Sequence, residues 1–196
     1  MNARIVAQIR RVRPDLGVVD RFLYFQPVEK ILCGFVYEQS READFVWRYA
    51  LPLYDKLPFL HLAFGDRIRS WIKLESRAPG PREKVVRFLG VVDELETEVR
   101  GLRDPENFLR VAEQPERIKN PWVRRGAALT HIVIGNRDAA ASHLLMLIEG
   151  GQIDKLANFR EEISLVYGNL MRGIEHARML LEDWEMSTKR KYSLST

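Results

Sequence analysis

After a short opening stretch, the hydrophobic pattern of the chain is strand-like before residue 75 and helical after residue 83. Residues 2–12 form a short amphipathic stretch that predicts a helix ending before Pro14. Between 19 and 64, β-branched and aromatic runs are separated by turn-like segments, which predicts four antiparallel strands. These runs are RFLYF, ILCGFVYEQ, ADFVWRYALPLY and FLHLAF.

The second and third runs carry aromatic side chains at every second position. A three-residue loop at 40–42 places Phe35 opposite Trp47 on the odd-numbered face. That face is too apolar to be exposed, so we expect helices to cover it. On the even-numbered face Glu38 lies diagonal to Arg48, which predicts an exposed face that binds a partner.

The pattern after the segment ESRAPGPRE at 75–83 is helical. Asp104 and Asn120 each precede a proline, the arrangement of an N-cap followed by proline at the first helical position. A break at Gly135 predicts an αα-hairpin. The final segment predicts one long helix or two helices divided near 168–173.

These elements predict an α+β fold, with an N-terminal four-stranded antiparallel sheet and a C-terminal helical layer that includes the αα-hairpin. The predicted organisation is a sheet region with a short N-terminal helix at 1–74, a linker at 75–83 and a helical region at 84–196. The two regions have either separate cores or one shared core.

Length and composition place the chain among globular proteins. Its 196 residues are 46% hydrophobic and 30% charged, and a chain of this length buries most of its surface on folding. No apolar run approaches the roughly 20 residues of a membrane-spanning helix, and the N-terminus lacks a secretory signal pattern. We therefore expect a cytoplasmic protein without a membrane partner. The single cysteine, Cys33, excludes an internal disulfide and predicts a buried apolar side chain.

Motifs for catalysis, cofactor binding or metal binding are not apparent in the sequence. It contains no glycine-rich phosphate loop and no nucleophile elbow. None of the four histidines lies four residues from another. His131 and His143 could approach each other across the helical hairpin, but histidines at the surface or at the edge of a core are the favoured interpretation. The sequence therefore predicts no catalytic residue, no cofactor and no metal.

The net charge of +4 is spread along the chain rather than concentrated in a tail. Nucleic-acid-binding proteins usually present a clustered basic face, so this distribution gives nucleic acid little support as a partner. Two short basic groups are the candidates for such a patch: Arg10, Arg11 and Arg13 near the start, and Lys189, Arg190 and Lys191 near the end.

The segment ARMLLEDWEMSTKRKYSL resembles the closing helix of small bacterial proteins, some of them associated with immunity to polymorphic toxins. Those proteins join an N-terminal β-meander to C-terminal helices, and the likeness includes this order of elements. The resemblance implies a protein without catalytic residues that acts by binding a partner protein. It assigns no site to individual residues.

We therefore expect a non-catalytic protein-binding module, similar to an immunity protein or antitoxin, whose partner is another protein. One alternative is a nucleic-acid-associated protein that uses the two basic groups. Another is an enzyme with a pocket between sheet and helices near His61.

Overall fold

The computed structural model describes five segments of the chain, and over these residues it forms five strands and seven helices. This is the predicted α+β class, with an antiparallel sheet followed by helices. The described segments are 3–39, 43–56, 59–73, 80–150 and 158–194. The chain forms two compact units: unit 1 contains Met1–Leu51 and Phe64–Arg103, and unit 2 contains Pro52–Ala63 and Asp104–Leu194.

Unit 1 consists of an antiparallel meander and two helices. The strands lie in the order β1-β2-β3-β4-β5, so each strand pairs with its neighbours in sequence. Their bounds are β1 Leu16–Val19, β2 Phe22–Phe25, β3 Ile31–Gln39, β4 Ala43–Pro52 and β5 Gly65–Lys73, with α1 Ala3–Val12 before them and α2 Pro81–Gly101 after them.

The sheet has five strands rather than the predicted four. Two of the five strands, β1 and β5, were not predicted, and in β1 Leu16 pairs with Phe25. The run at 59–64 is not a strand, and the last strand follows it at Gly65–Lys73. A short apolar run does not distinguish a strand from a buried irregular segment, and Leu60 in this run is indeed buried.

Helix α2 covers one face of β3, as the aromatic alternation predicts. Phe35 and Tyr37 both meet Phe88 of α2 edge to face, with ring centroids 6.3 and 6.0 Å away. The opposite face of β3 is also buried, since Val36 has no exposed surface. The prediction that the even-numbered side of this strand is exposed is therefore wrong.

The predicted alignment of β3 with β4 is also wrong. The Trp47 indole N–H donates to Glu38 Oε2 over 2.8 Å, so these two side chains share a face. Arg48 instead pairs with Asp66 of β5 and with Glu98 of α2. The side chain of Trp47 is half-buried, whereas the predicted alignment places it in the aromatic core.

Unit 2 is helical, and the two N-caps predicted from the sequence are present. The side chain of Asp104 accepts hydrogen bonds from two backbone N–H groups of α3, and that of Asn120 accepts one in α4. Gly135 ends α4 with φ of 90°, a left-handed conformation that glycine adopts without strain. Gly173 divides the last segment into two helices. The bounds are α3 Pro105–Ala112, α4 Pro121–Ile134, α5 Arg137–Glu149, α6 Phe159–Arg172 and α7 Ile174–Lys191.

Helices α4 to α7 pack in sequence, and α7 returns to contact α4. Arg178, near the start of α7, donates to the carbonyl of Ile132 at the end of α4 over 3.1 Å. Later in α7, the Trp184 ring lies 5.8 Å from the Arg125 guanidinium near the start of α4. These contacts make α7 antiparallel to α4, and α3 packs against α4. The αα-hairpin of α4 and α5 is thus part of a four-helix arrangement.

The two units do not divide where the sequence predicted. Residues 74–79, which include most of the predicted linker at 75–83, lie outside the described residues. Helix α2 belongs to the unit of the sheet, while Pro52–Ala63 belongs to the unit of the later helices. Among the described helices, none combines the length and the hydropathy needed to cross a bilayer. The cytoplasmic location stays a prediction.

Candidate metal centre

The first basic group predicted from the sequence lies in unit 1, where one of its three arginines forms ion pairs. The Arg13 guanidinium pairs with Asp15, Asp93 and Glu96, each at 2.8 Å. The hydrogen bond from Arg13 lowers the pKa of Asp15, against the opposing effect of burial. Arg13 therefore stabilises its own unit, and only Arg10 and Arg11 of this group have exposed side chains.

The second basic group lies at the end of α7 in unit 2. Lys189 pairs with Glu185 at 2.8 Å, and the Lys191 ammonium lies 5.1 Å from the Tyr192 ring. Arg190 is exposed. Nothing in these contacts assembles a clustered basic face, and the nucleic-acid alternative stays a prediction.

His61 does not have the properties of a general base at neutral pH. Its ring lies 5.2 Å from that of Trp122. Burial and, to a smaller extent, the charge of Arg125 lower the pKa of His61 to about 4. A general base works best with a pKa near the operating pH. The enzyme alternative stays a prediction.

A buried ion cluster holds the start of the helical bundle together. Arg125 is 1% exposed and donates to Asp55, which has no exposed surface, over 2.7 Å. It also donates to Glu162 of α6 over 2.8 Å. Burial raises the pKa of Asp55, and the attraction of Arg125 opposes that increase. The guanidinium lies within 5.8 Å of three aromatic rings, those of Trp122, Phe159 and Trp184. Asp55 Oδ2 has no hydrogen-bond partner among the described residues. Because the cluster is buried and its charges pair with one another, we interpret it as structural.

A second cluster joins three elements of unit 2 through metal-ligand side chains. Glu113 caps the end of α3, His131 lies in the last turn of α4 and His143 lies in α5. Glu113 Oε1 is 2.7 Å from His131 Nε2 and 3.2 Å from His143 Nε2. The two imidazole rings are stacked with centroids 5.6 Å apart. One ligand atom from each residue lies within 4.8 Å of the other two.

The cluster lies at the border between the interior and the solvent. His131 is buried, whereas the side chains of Glu113 and His143 are 38% and 16% exposed. Burial raises the pKa of Glu113, but hydrogen bonds from both histidines outweigh it and the net pKa is lowered. Burial also lowers the pKa of His143, although the hydrogen bond with Glu113 opposes this effect, and the charge of Arg124 adds to the lowering. Both shifts favour the carboxylate and the neutral imidazole, the forms in which these side chains bind metal ions.

The distances are compatible with a tetrahedral ion after small side-chain rotations. Zinc bound at about 2.0–2.1 Å by nitrogen and oxygen holds its ligand atoms roughly 3.3 Å apart. The distance from Glu113 Oε1 to His143 Nε2, 3.2 Å, is close to that value. The distance from Glu113 Oε1 to His131 Nε2, 2.7 Å, is shorter by about half an ångström. The two histidines, whose ligand atoms lie within 4.8 Å of each other, would rotate inward.

In both histidines, the ring nitrogen that does not face Glu113 has no hydrogen-bond partner among the described residues. Nδ1 of His131 and Nδ1 of His143 are buried without a hydrogen-bond partner among the described residues. A ligating histidine normally donates its second N–H to a carboxylate or carbonyl, and loss of that partner weakens metal binding about 10- to 100-fold. We therefore expect moderate rather than extreme affinity at this site.

Sequence analysis did not assign this site, because one of its three residues gave no signal. The predicted hairpin brings His131 and His143 across from each other, and the structure confirms their proximity. Glu113 lies 18 residues before His131 on a different helix, and no periodicity links it to the hairpin. Only the packing of α3 on α4 places its carboxylate between the histidines.

Comparisons with known proteins add no relative. No protein-family model matches the chain, and neither a curated protein nor a solved structure is similar to it. The resemblance to immunity proteins therefore stays a prediction.

Proposed function

We propose that unit 2 binds a divalent transition metal of the zinc class through Glu113, His131 and His143. The supporting observation is the convergence of two imidazoles and one carboxylate, from three different elements, within 4.8 Å. Two histidines and one glutamate are a donor set used by zinc enzymes. The proposal replaces the expectation from sequence that the chain binds no metal.

The donor set selects the class of ion. Imidazole nitrogen suits zinc, copper, nickel and iron, whereas magnesium and calcium prefer oxygen donors alone. No thiolate contributes, since Cys33 belongs to unit 1 and is buried there. Burial raises the pKa of the Cys33 thiol, which keeps it protonated and unsuited to metal binding.

The alternative role for these residues is a hydrogen-bonded bridge in which Glu113 accepts from both histidines. That bridge leaves both Nδ1 atoms buried and unsatisfied, at a cost of about 1–3 kcal/mol for each buried polar group. Metal coordination through Nε2 leaves the same two Nδ1 atoms unsatisfied, so this cost does not distinguish the two roles. Zinc titration distinguishes them, because only the metal site responds to zinc.

The test is zinc binding by the full chain purified without a histidine tag. We expect one zinc ion per chain by calorimetry, and stabilisation against heat when zinc is added. At a free zinc concentration 100 times Kd, the stabilisation is about 2.7 kcal/mol. Glu113→Gln and His143→Ala should each weaken zinc binding at least about tenfold, because each removes one of three ligands.

Two features make this test selective. Glu113→Gln keeps an amide oxygen that accepts the same hydrogen bonds, so it should retain the stability of the metal-free protein and lose the response to zinc. His176→Ala is the matched control, because His176 is exposed on α7. Absence of zinc binding by the unaltered chain, or equal affinity in Glu113→Gln, contradicts the proposal.

Protein binding is a second candidate function, supported by the exposure of methionine. Methionine is usually among the more buried residues, yet all four that the structure describes are exposed. Surface methionines adapt to different apolar partners, and binding surfaces use them for that reason. The four residues, between 42% and 64% exposed, are Met146, Met171, Met179 and Met186.

Two of these methionines provide a test of protein binding. Met179 and Met186 lie two turns apart on α7, and Met179→Glu with Met186→Glu should abolish binding to a partner protein, with unfolding unchanged. The measurement is co-purification with proteins encoded by adjacent genes, followed by calorimetry with the purified partner. Glu175→Gln, which changes an exposed side chain on the same helix, is the control. Retained affinity in the double variant would argue against this surface.

A further inference from the structure

We propose that the metal held by Glu113, His131 and His143 keeps an exchangeable coordination position that binds a carboxylate ligand, with Arg124 as the second contact to that anion. This inference rests on the metal binding proposed above and adds the class of its ligand. The group that unit 2 would recognise is a carboxylate, on a small molecule or on a side chain.

The number of protein ligands leaves a coordination position open. A structural zinc site is closed by four protein ligands, whereas three protein ligands leave one position for water or another group. Over the described residues, the group contains three side chains and no fourth histidine, cysteine or carboxylate. Solvent reaches the cluster through Glu113 and His143, which are 38% and 16% exposed. A ligand from solution can therefore reach the metal.

Arg124 lies near the histidine at the solvent border of the cluster. Its Nη1 atom lies 2.8 Å from Sδ of Met146. Met146 and His143 are three residues apart on α5, a spacing that makes them neighbours on one face of the helix with Cβ atoms about 5–6 Å apart. The guanidinium of Arg124 therefore lies within roughly one helical turn of the histidine that borders the solvent.

The guanidinium of Arg124 forms no ion pair among the described residues. Arg124 has no ion pair with any carboxylate in the part of the chain that the structure describes, whereas the adjacent Arg125 has two, with Asp55 and Glu162. Arginine binds a carboxylate through parallel hydrogen bonds, and such charge-assisted bonds are about twice as strong as neutral ones. A carboxylate that binds the metal through one oxygen would present its other oxygen to Arg124.

The experiment uses the full chain loaded with cobalt(II), whose visible absorption reports changes in coordination. Acetate is the probe, and inorganic phosphate is titrated separately to distinguish a carboxylate from another oxygen anion. We expect saturable spectral changes with acetate and weaker ones with phosphate. Arg124→Gln should weaken acetate binding about tenfold and leave stoichiometric cobalt binding intact. Arg110→Gln, an exposed arginine on α3, is the matched control with the same change in charge.

The outcomes separate this inference from the proposed function. Failure of the chain to bind cobalt overturns both. Stoichiometric cobalt binding with no response to acetate overturns the exchangeable position and leaves metal binding intact. Equal acetate affinity in Arg124→Gln and in the unaltered chain overturns the role of Arg124, and stronger binding of phosphate than of acetate overturns the carboxylate assignment.

Discussion

Arg125→Ala is expected to lower the free energy of unfolding by about 3 to 5 kcal/mol, because it leaves a fully buried carboxylate without its counter-charge. Asp55 has no exposed surface, and its partner Arg125 is 1% exposed. Removing the guanidinium also removes its contacts with three aromatic rings. The measurement is urea denaturation followed by tryptophan fluorescence, since Trp122 and Trp184 both border the cluster.

Two variants show whether the buried charge is the cause. Arg124→Ala changes the neighbouring arginine, which has no ion pair among the described residues, and should alter stability by no more than about 0.5 kcal/mol. Arg125→Met combined with Asp55→Asn removes both charges and should recover much of the loss, because an uncharged pair avoids the desolvation cost. A loss below about 1 kcal/mol in Arg125→Ala would show that Asp55 is not held as a buried anion.

Gly34→Ala is expected to destabilise unit 1 by about 3 kcal/mol or more, at or above the upper end of the usual cost of overpacking. A Cβ atom at Gly34 would lie 1.9 Å from the backbone oxygen of Leu23. These residues belong to the paired strands β2 and β3, where Tyr24 is opposite Gly34. Because the obstacle is backbone rather than a flexible side chain, the strands must separate. Urea denaturation and hydrogen exchange of β2 and β3 provide the measurement.

Gly90→Ala is the matched control in the same unit. Gly90 is exposed within α2, and a Cβ atom there would meet nothing within 4 Å. Alanine in a helix interior is favoured over glycine by about 0.5–1 kcal/mol, so this variant should be slightly more stable. If both glycine variants had the same stability as the unaltered chain, the close approach of β2 to β3 would be refuted.

The helical half of the fold was predictable because its determinants are local. Asp104 and Asn120 act as N-caps to the helices that follow them, and Gly135 ends α4 in a left-handed conformation. Each of these features depends on residues within one turn of the cap. These helix ends therefore followed closely from the sequence. For the last segment the sequence left one long helix or two helices open, and the structure divides it at Gly173.

The sheet was less predictable because strand pairing is not local. Alternation predicted that one face of β3 carries Phe35 and Tyr37 against a helix, and α2 does cover it. The alternation within β4 gave no information on its alignment with β3. A hairpin register depends on the turn and on packing, and a slip of one residue reverses the faces. Trp47 consequently lies beside Glu38 rather than in the core.

Periodicity and short-range backbone preferences were sufficient to predict the α+β class, the order of a short helix, strands and further helices, and the caps of the bundle. Which distant side chains meet depends on the tertiary packing. Arg125 reaches Asp55 across 70 residues, and Glu113 reaches His131 and His143 from a different helix. The candidate metal centre depends on the packing of α3 against the α4–α5 hairpin. The position of one helix on another is set by the side chains that meet at their contact, and a local sequence pattern does not specify it.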